Sequence, residues 1–197
     1  MPSAGPSADA RLRLALLVLR CQAGDEAAFA ELLGQFAPRT RRYLEGLVGE
    51  AAEDVQQEVW LAVYRGLAGL ADPSAFRTWL FRTTRHRAID HLRRLRRERE
   101  LFVADGEEPL AAATEEAGPP PELADFGPAL AALAPIHREV LQLRFLDQLS
   151  YAEIALVTGC PLGTVRSRLH VARERLRGLL TDQPTPPRRP GAASPGD

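Results

Sequence analysis

The chain has 197 residues, 45% of them hydrophobic, so it can build one or two small domains with packed cores and is not disordered as a whole. Its formal net charge of −1 hides a strong segregation, because residues 76–97 carry eight arginines and one acid whereas residues 101–125 carry seven acids and no basic residue. Only Cys21 and Cys160 are present, far apart, which excludes a disulfide framework or a cysteine zinc site and fits a reducing cytoplasm.

The first two predicted helices are separated by a clear local boundary. Residues 1–7 are expected to be a frayed end, and a helix over Ala8–Gln22 is closed by Gly24. Its apolar stretch is too short to cross a membrane or to serve as a signal peptide. Asp25 then caps a second helix with an apolar stripe at helical spacing. Pro38 is expected to kink or divide this second helix.

A third helix is predicted over residues 52–67. Val55 and Val59 fall on its apolar face, and Trp60 and Tyr64 are expected to reinforce the packing. The opposite face shows Asp54, Gln57, Glu58, Leu61 and Arg65.

The basic stretch over residues 76–97 follows a short loop at 70–74 and is predicted to be one amphipathic helix. An ordinary solvated charged face is the alternative, but such a face usually interleaves acids that pair at i,i+4 with the bases. Arginines beside aromatic rings are typical of surfaces that bind single-stranded nucleic acid. Phe81 is assigned to the core, whereas Phe76 and Trp79 could face either the core or a nucleic acid.

Residues 100–125 are predicted to be a linker without fixed structure, because the segment is acidic, rich in proline and without apolar periodicity. It is either an inert tether or a run of negative charge that occupies a basic groove otherwise filled by nucleic acid. Apolar periodicity returns at residue 126, in two short helices or one helix broken at Pro135.

A helix-turn-helix is predicted next. Ser150 and Glu153 form a capping box, Gly159 ends the short helix, and Pro161 takes the first position of the following one. The length fits the DNA-binding version, with simple packing of two helices as the alternative, and the tail over 181–197 is expected to be disordered. Residues turned away from the apolar stripe and free to contact DNA are Thr164, Arg166, Ser167 and His170, with Arg173 and Arg177 suited to phosphates.

Four blocks in this order resemble the extracytoplasmic-function sigma factors of bacterial RNA polymerase. They are GDEAAFAELL from Gly24, AEDVQQEVWLAVYRGL from Ala52, FRTWLFRTTRHRAIDHLRR from Phe76 and LSYAEIALVTGCPLGTVRSRLHVARERLR from Leu149. The resemblance implies an all-α fold of two small helical domains joined by a flexible acidic linker. The implied layout is a four-helix region 2 domain over 8–99, the linker over 100–125, a region 4 helix-turn-helix domain over 126–180 and a disordered tail over 181–197.

By this resemblance the protein is a sigma factor that binds core polymerase, recognises promoter DNA and promotes strand opening to initiate transcription. The implied contacts to the clamp of the largest subunit are Asp54, Gln57, Glu58, Leu61 and Arg65. The implied contacts to the single-stranded minus-ten element are Phe76, Arg77, Trp79, Arg82, Arg85, His86 and Arg87. The implied contacts to the duplex minus-thirty-five element are Thr164, Arg166, Ser167, His170 and Arg173, in a domain that also touches the flap of the second-largest subunit.

Two positions depart from the family pattern: Val171 replaces a residue that is often basic, and Gln56 replaces one that is commonly apolar. The resemblance implies an anti-sigma factor as a further partner, a cytoplasmic location and no insertion into a membrane. No metal, cofactor or enzymatic activity is expected, because the histidines are scattered and no catalytic constellation is present. The alternatives are a conventional duplex-binding regulator whose first domain senses a ligand or dimerises, and a polymerase-bound adaptor that does not melt promoters.

Overall fold

The computed structural model describes residues 7–103, 129–130 and 132–181. Over these ranges the chain forms helices and turns and no β-strand, which confirms the all-α prediction. The helices are α1 (Ala8–Gln22), α2 (Glu26–Val48), α3 (Ala52–Gly66), α4 (Phe76–Val103), α5 (Pro135–Phe145), α6 (Tyr151–Thr158) and α7 (Leu162–Thr181), with short 3₁₀ turns at Gly49–Ala51, Leu67–Gly69 and Pro73–Ala75.

The predicted boundary between α1 and α2 is confirmed. Gly24 follows α1 with a φ of +86°, a left-handed conformation that glycine adopts without steric cost. Asp25 is the N-cap of α2, and its carboxylate accepts a hydrogen bond of 3.0 Å from the Ala28 N–H. The N-terminal residues 1–6, predicted to be frayed, lie outside the described residues.

Helix α2 continues through Pro38, so of the two predicted effects the proline does not divide the helix, and the kink stays a prediction. Proline removes one backbone donor from the helix. Buried side chains on both sides of it, Leu32 before and Leu44 after, keep the two halves of α2 in one core. Gln56 of α3 adds a hydrogen bond of 2.8 Å from its Nε2 to the Ala37 carbonyl, next to the proline. The polar residue that departs from the family pattern thus ties α3 to α2.

Helix α3 buries Val55, Val59 and Val63 against the first core. Trp60 is half-buried there, as expected. Tyr64 is 68% exposed, but its ring packs edge to face on Phe29 with ring centroids 5.3 Å apart, so it reinforces the packing at the rim of the core rather than inside it. Val63 takes the inward position.

Helix α4 runs to Val103, so the predicted linker begins too early and residues 100–103 are helical. An i,i+4 ion pair of 2.8 Å between Arg96 and Glu100 accompanies the extension, and no glycine or proline interrupts the helix before its end. The rest of the predicted linker, over 104–125, and the tail over 182–197 lie outside the described residues.

The helix-turn-helix is bounded largely as predicted. Pro135 is the first residue of α5, which confirms the break there. Ser150 and Glu153 form both hydrogen bonds of the capping box, at 3.2 and 2.7 Å, and Gly159 ends α6 with a φ of +68°. The prediction that Pro161 is the first helical residue is wrong by one position, since α7 begins with the residue after it.

Two hydrophobic cores hold these helices. The first lies among α1 to α4 and includes Leu32 and Val55. The second lies among α5 to α7 and includes Val165, but Tyr43 of α2 and Phe81 of α4 also belong to it. The two halves of the chain therefore pack against each other through α2 and α4.

Candidate nucleic-acid interface

The outward face of α3 presents the five residues predicted to contact a polymerase. Four of them are exposed, including Leu61 at 55%. Glu58 is half-buried and accepts a hydrogen bond of 2.8 Å from Arg94 of α4. Tyr64, 68% exposed, adds a second large side chain to this face, which the sequence reasoning missed because it assigned the tyrosine to packing alone. The predicted set is Asp54, Gln57, Glu58, Leu61 and Arg65.

A groove of about 390 Å³ lies between α3 and α4, and one of the residues predicted to contact the minus-ten element lines it. Arg87 was expected with the minus-ten contacts, yet it lines this groove beside Leu61 and Arg65. Arg87 faces α3 because it lies two residues along α4 from Arg85, about 200° around the helix. Arg87 therefore belongs to the surface that α3 presents.

The aromatic side chains at the start of α4 are largely packed inside the first core. Phe76 is fully buried and meets Phe36 edge to face, with ring centroids 5.3 Å apart. The prediction that Phe76 contacts DNA is therefore wrong for this arrangement, because no face of its ring is open to a base. Trp79 is half-buried against Gly66, where an added Cβ would lie 3.0 Å from the indole.

The remaining predicted minus-ten residues divide between open surface and contacts with the C-terminal helices. Arg82 and His86 are exposed. Arg85 is half-buried, and its Nε donates a hydrogen bond of 2.8 Å to Oε1 of Glu139 in α5. Arg77 is also half-buried and donates to the Asp147 carbonyl. The structure therefore does not bring the predicted minus-ten residues into one open surface.

Glu139 is the centre of a buried polar cluster that the sequence reasoning missed. Only 6% of the residue is exposed, and its Oε1 accepts a second hydrogen bond, of 2.7 Å, from the Tyr43 hydroxyl. Burial raises the pKa of Tyr43 well above its usual value, and the neighbouring carboxylate acts in the same direction. The only signal in the sequence is an acid inside the apolar run of α5.

Burial also affects the charged groups at the edge of this cluster. It lowers the pKa of Arg77, and the nearby positive charge of Arg39 adds to the effect. Burial opposes ionisation of Glu153, but hydrogen bonds from Ser150 outweigh it and lower the pKa of this carboxyl. Thr78 of α4 donates to the same carboxylate at 3.2 Å. The residue that caps α6 thus also touches α4.

The outward face of α7 carries the residues predicted to read duplex DNA. Arg166, Ser167, His170 and Arg173 are exposed, whereas Thr164 is half-buried and its carbonyl accepts a hydrogen bond of 3.0 Å from Ser167. Helix N-terminal residues in this position can reach base edges when the helix lies in a major groove.

Arg173 is held in place by the neighbouring helices. Its guanidinium lies 5.3 Å from the centre of the Phe145 ring and donates a hydrogen bond of 3.3 Å to the Tyr151 hydroxyl. Arg173 is nevertheless exposed on α7, which leaves its side chain accessible to a phosphate.

Over residues 7–103, 129–130 and 132–181, no group of three or more His, Cys, Asp or Glu residues is arranged to hold a metal ion. In the same ranges no helix has the length and apolar character needed to cross a bilayer.

Two family models match the chain. The model of Sigma-70 region 2 matches residues 32–98, and the model of Sigma-70, region 4 matches residues 126–176. Together these ranges take in more than half of the chain.

Several known proteins are similar to the chain over most of their length. ECF RNA polymerase sigma factor RpoE of Cereibacter sphaeroides is 40% identical over 159 residues, which cover 78% of this chain and 86% of that protein. RNA polymerase sigma-H factor of Pseudomonas aeruginosa is 35% identical, with coverages of 83% and 92%. ECF RNA polymerase sigma-E factor of Escherichia coli K12 is 33% identical, with coverages of 82% and 91%.

Solved structures are similar as well. CnrH, in complex with the cytosolic domain of CnrY, has a TM-score of 0.59 and 26% identity, covering 86% of this chain and 99% of CnrH. The sigma factor RpoE from Bartonella quintana, in complex with the anti-sigma factor NepR, has a TM-score of 0.60 and 29% identity, covering 79% of this chain and 98% of RpoE.

Proposed function

This chain belongs to the extracytoplasmic-function sigma factors, which direct bacterial RNA polymerase to initiate transcription, and we propose that its two helical halves divide promoter recognition between them. Residues 8–99 bind core polymerase and the minus-ten element, and residues 126–180 bind the minus-thirty-five element. The acidic segment that joins them passes through the polymerase channels, where its negative charge resembles that of nucleic acid.

Core polymerase binds the outward face of α3, and one observation carries this assignment. Leu61 and Tyr64 are 55% and 68% exposed on a helix whose opposite face is fully packed. Large apolar side chains placed together on an open surface and framed by charges are typical of protein interaction sites. The five predicted contacts, together with Tyr64, form the surface for the clamp of the largest subunit.

Replacing Leu61 by arginine tests this assignment. We expect Leu61→Arg to weaken binding to purified core polymerase about tenfold or more, because one anchor of the apolar surface is lost and a charge is placed in the interface. Leu12→Arg is the matched control, since Leu12 is 60% exposed on α1, away from α3. Failure of the unmodified chain to bind core polymerase would refute the proposed function.

The open side of α4 guides the separated minus-ten strand. Arg82 and His86 are exposed on it, and Arg77 and Arg85 reach the same strand once their contacts with the C-terminal helices are released. We expect Arg82→Ala to reduce permanganate reactivity of the promoter in complexes with core polymerase while binding to core stays unchanged. Loss of core binding in the same variant would contradict a role in strand separation.

The C-terminal half reads duplex DNA through Arg166, Ser167 and His170 and also contacts the polymerase flap. Its support is the exposed, basic outer face of α7. The solved structures of CnrH and RpoE contain anti-sigma or cytosolic partner domains, and we infer that this chain also has an anti-sigma partner and acts in the cytoplasm. Co-purification of the chain with a partner from its own cells tests this inference.

A further inference from the structure

A cavity of about 320 Å³ lies among α1, α2, the turn before α4 and the segment that leads into α6. Three arginines from three different helices line it, Arg11 of α1, Arg39 of α2 and Arg77 of α4. Glu153 is the acid of the lining, so three positive charges and one negative charge leave a net charge of +2. The volume is at the lower end of the range of small-molecule sites, which is about 300–1,000 Å³. The cavity therefore has the size and the charge of a site for a small anion.

Two of these arginines differ from other arginines on the same helices and on α4 in having no acid beside them. Arg20, Arg41 and Arg94 each have a carboxylate oxygen within 3.0 Å. Arg11 and Arg39 take part in no ion pair within the part of the chain that the structure describes. The charges of these two guanidinium groups are therefore available to an anion in the cavity.

Contacts with the protein hold two of the arginine side chains at the cavity. The Arg39 guanidinium lies 5.8 Å from the centre of the Phe36 ring, which lines the same cavity. Arg77 donates to the Asp147 carbonyl, whereas its Nε is buried and has no acceptor among the described residues. A buried N–H without an acceptor is costly, and an oxygen of a bound anion can accept from it. Side chains that are already held in place also lose less conformational entropy when a ligand binds.

The three positive charges also act on one another. Burial lowers the pKa of Arg77, and the charges of Arg39 and Arg11 act in the same direction, while two nearby carboxylates oppose the effect. One of these carboxylates, that of Glu153, already accepts hydrogen bonds from the Thr78 hydroxyl at 3.2 Å and from the backbone at the cap of α6 at 2.7 Å. An anion with more than one negative charge would reduce the remaining repulsion among the guanidinium groups.

We propose that this cavity binds a small molecule through a diphosphate group, which Arg11, Arg39 and Arg77 hold. The planar fork of arginine binds phosphate oxygens by pairs of parallel hydrogen bonds, and a diphosphate has enough oxygens for arginines that approach from three helices. The apolar part of the lining, which includes Leu14 and Phe36, packs against the rest of the molecule. The proposal goes beyond promoter recognition, because Arg11 and Arg39 belong to neither the polymerase surface nor the DNA surfaces.

Isothermal titration calorimetry of the full chain with sodium pyrophosphate, without divalent cations, tests the site. We expect one pyrophosphate to bind per chain, and Arg11→Gln and Arg39→Gln each to raise its Kd about tenfold or more, because each removes a charge-assisted hydrogen bond. Arg13→Gln is the matched control and should leave the Kd unchanged, since Arg13 lies on α1, pairs with Asp9 and does not line the cavity. Equal weakening by all three variants would overturn the proposal, because only net charge would then matter.

A ring placed in the cavity tests the position of the site without changing its charge. Ala10 is half-buried on α1 and lines the cavity, whereas Leu12 on the same helix is 60% exposed and does not. We expect Ala10→Trp to abolish pyrophosphate binding and Leu12→Trp to retain it, with the helix content of both unchanged in circular dichroism. Pyrophosphate binding that persists in Ala10→Trp would overturn the assignment to this cavity.

Further ligands identify the source of the diphosphate group. Adenosine diphosphate that binds more tightly than pyrophosphate would identify a nucleotide, and adenosine diphosphate that binds no more tightly would identify pyrophosphate itself. Sulfate that binds as tightly as pyrophosphate at equal ionic strength would overturn the proposal, because the site would then hold an adventitious ion only.

DNA phosphates are the competing partner for these arginines. If the unmodified chain bound no pyrophosphate while Arg39→Gln weakened the binding of a fluorescent single-stranded oligothymidylate, the arginines would belong to a DNA surface and the proposal would be overturned. Binding of core polymerase should be the same for Arg39→Gln and the unmodified chain. Failure of the proposed function is therefore measured separately from failure of the anion site.

Discussion

Replacing Tyr43 by phenylalanine is expected to destabilise the protein through one buried hydrogen bond. The substitution keeps the ring that packs against Phe81 and removes only the hydroxyl that donates to Glu139 at 2.7 Å. Tyr43 and Glu139 are 1% and 6% exposed, so water does not replace the lost donor. Hydrogen bonds to charged groups contribute about 1.5–3 kcal/mol, and Glu139 keeps its bond from Arg85. We therefore expect a loss of about 2 kcal/mol.

Urea unfolding followed by circular dichroism measures this loss as a lower midpoint with an unchanged slope. In thermal unfolding the same loss corresponds to a decrease in Tm of roughly 4–8 °C for a chain of this length. Tyr64→Phe is the control, because Tyr64 is 68% exposed and its hydroxyl lies at the surface. A loss below about 0.5 kcal/mol for Tyr43→Phe, the range of an ordinary surface substitution, would refute the burial of this hydroxyl in solution.

Three further predictions concern the recognition module and pH. Ser150→Ala should lower the free energy of unfolding by about 1 kcal/mol, because it removes the N-cap of α6, and a urea titration measures the loss. Arg166→Ala should lower the free energy of binding by about 1–3 kcal/mol on a preferred duplex only. Arg173→Ala should instead weaken binding to every sequence and reduce the slope of its salt dependence by about one unit. Fluorescence anisotropy at several salt concentrations separates the two, and equal losses on all sequences for Arg166→Ala would exclude a base contact. The pKa of Tyr43 is raised in the folded state, so the stability that its phenol contributes is fully present below pH about 10 and is lost as the pH rises through the folded-state pKa. The difference in free energy of unfolding between the unmodified chain and Tyr43→Phe should therefore shrink in alkaline urea titrations. A constant difference would contradict this.

The sequence alone determined the features that depend on neighbouring residues. Asp25, Gly24 and the Ser150–Glu153 pair mark helix ends through hydrogen bonds and backbone angles that involve residues at most three positions apart. The apolar stripe of α7 likewise follows from helical periodicity, since Val165 is buried as expected. These local signals, in their order along the chain, were sufficient for the all-α fold, whereas the family was indicated by the resemblance of four sequence blocks.

Individual positions within the helices were harder to assign, because adjacent residues of a helix face directions about 100° apart. Tyr64 was expected to pack and touches Phe29 while 68% of it stays exposed, whereas Phe76, left open between core and nucleic acid by the pattern and assigned to DNA by the resemblance, is buried against Phe36. The apolar pattern indicates that one side of each helix is covered, but both rings lie near the boundary of that side. Only packing against the neighbouring helices decides which way such a ring points.

The contacts of Glu139 with Arg85 and Tyr43 could be decided only by the tertiary structure. Glu139 meets Arg85 from 54 residues away and Tyr43 from 96 residues away, on helices that no local pattern relates. An acid within an apolar stripe and an arginine on a basic helix each look like ordinary surface residues when they are read singly. Their pairing follows from the way α5 packs on α2 and α4, because a carboxylate or a guanidinium that is removed from water is costly unless it is paired with an opposite charge.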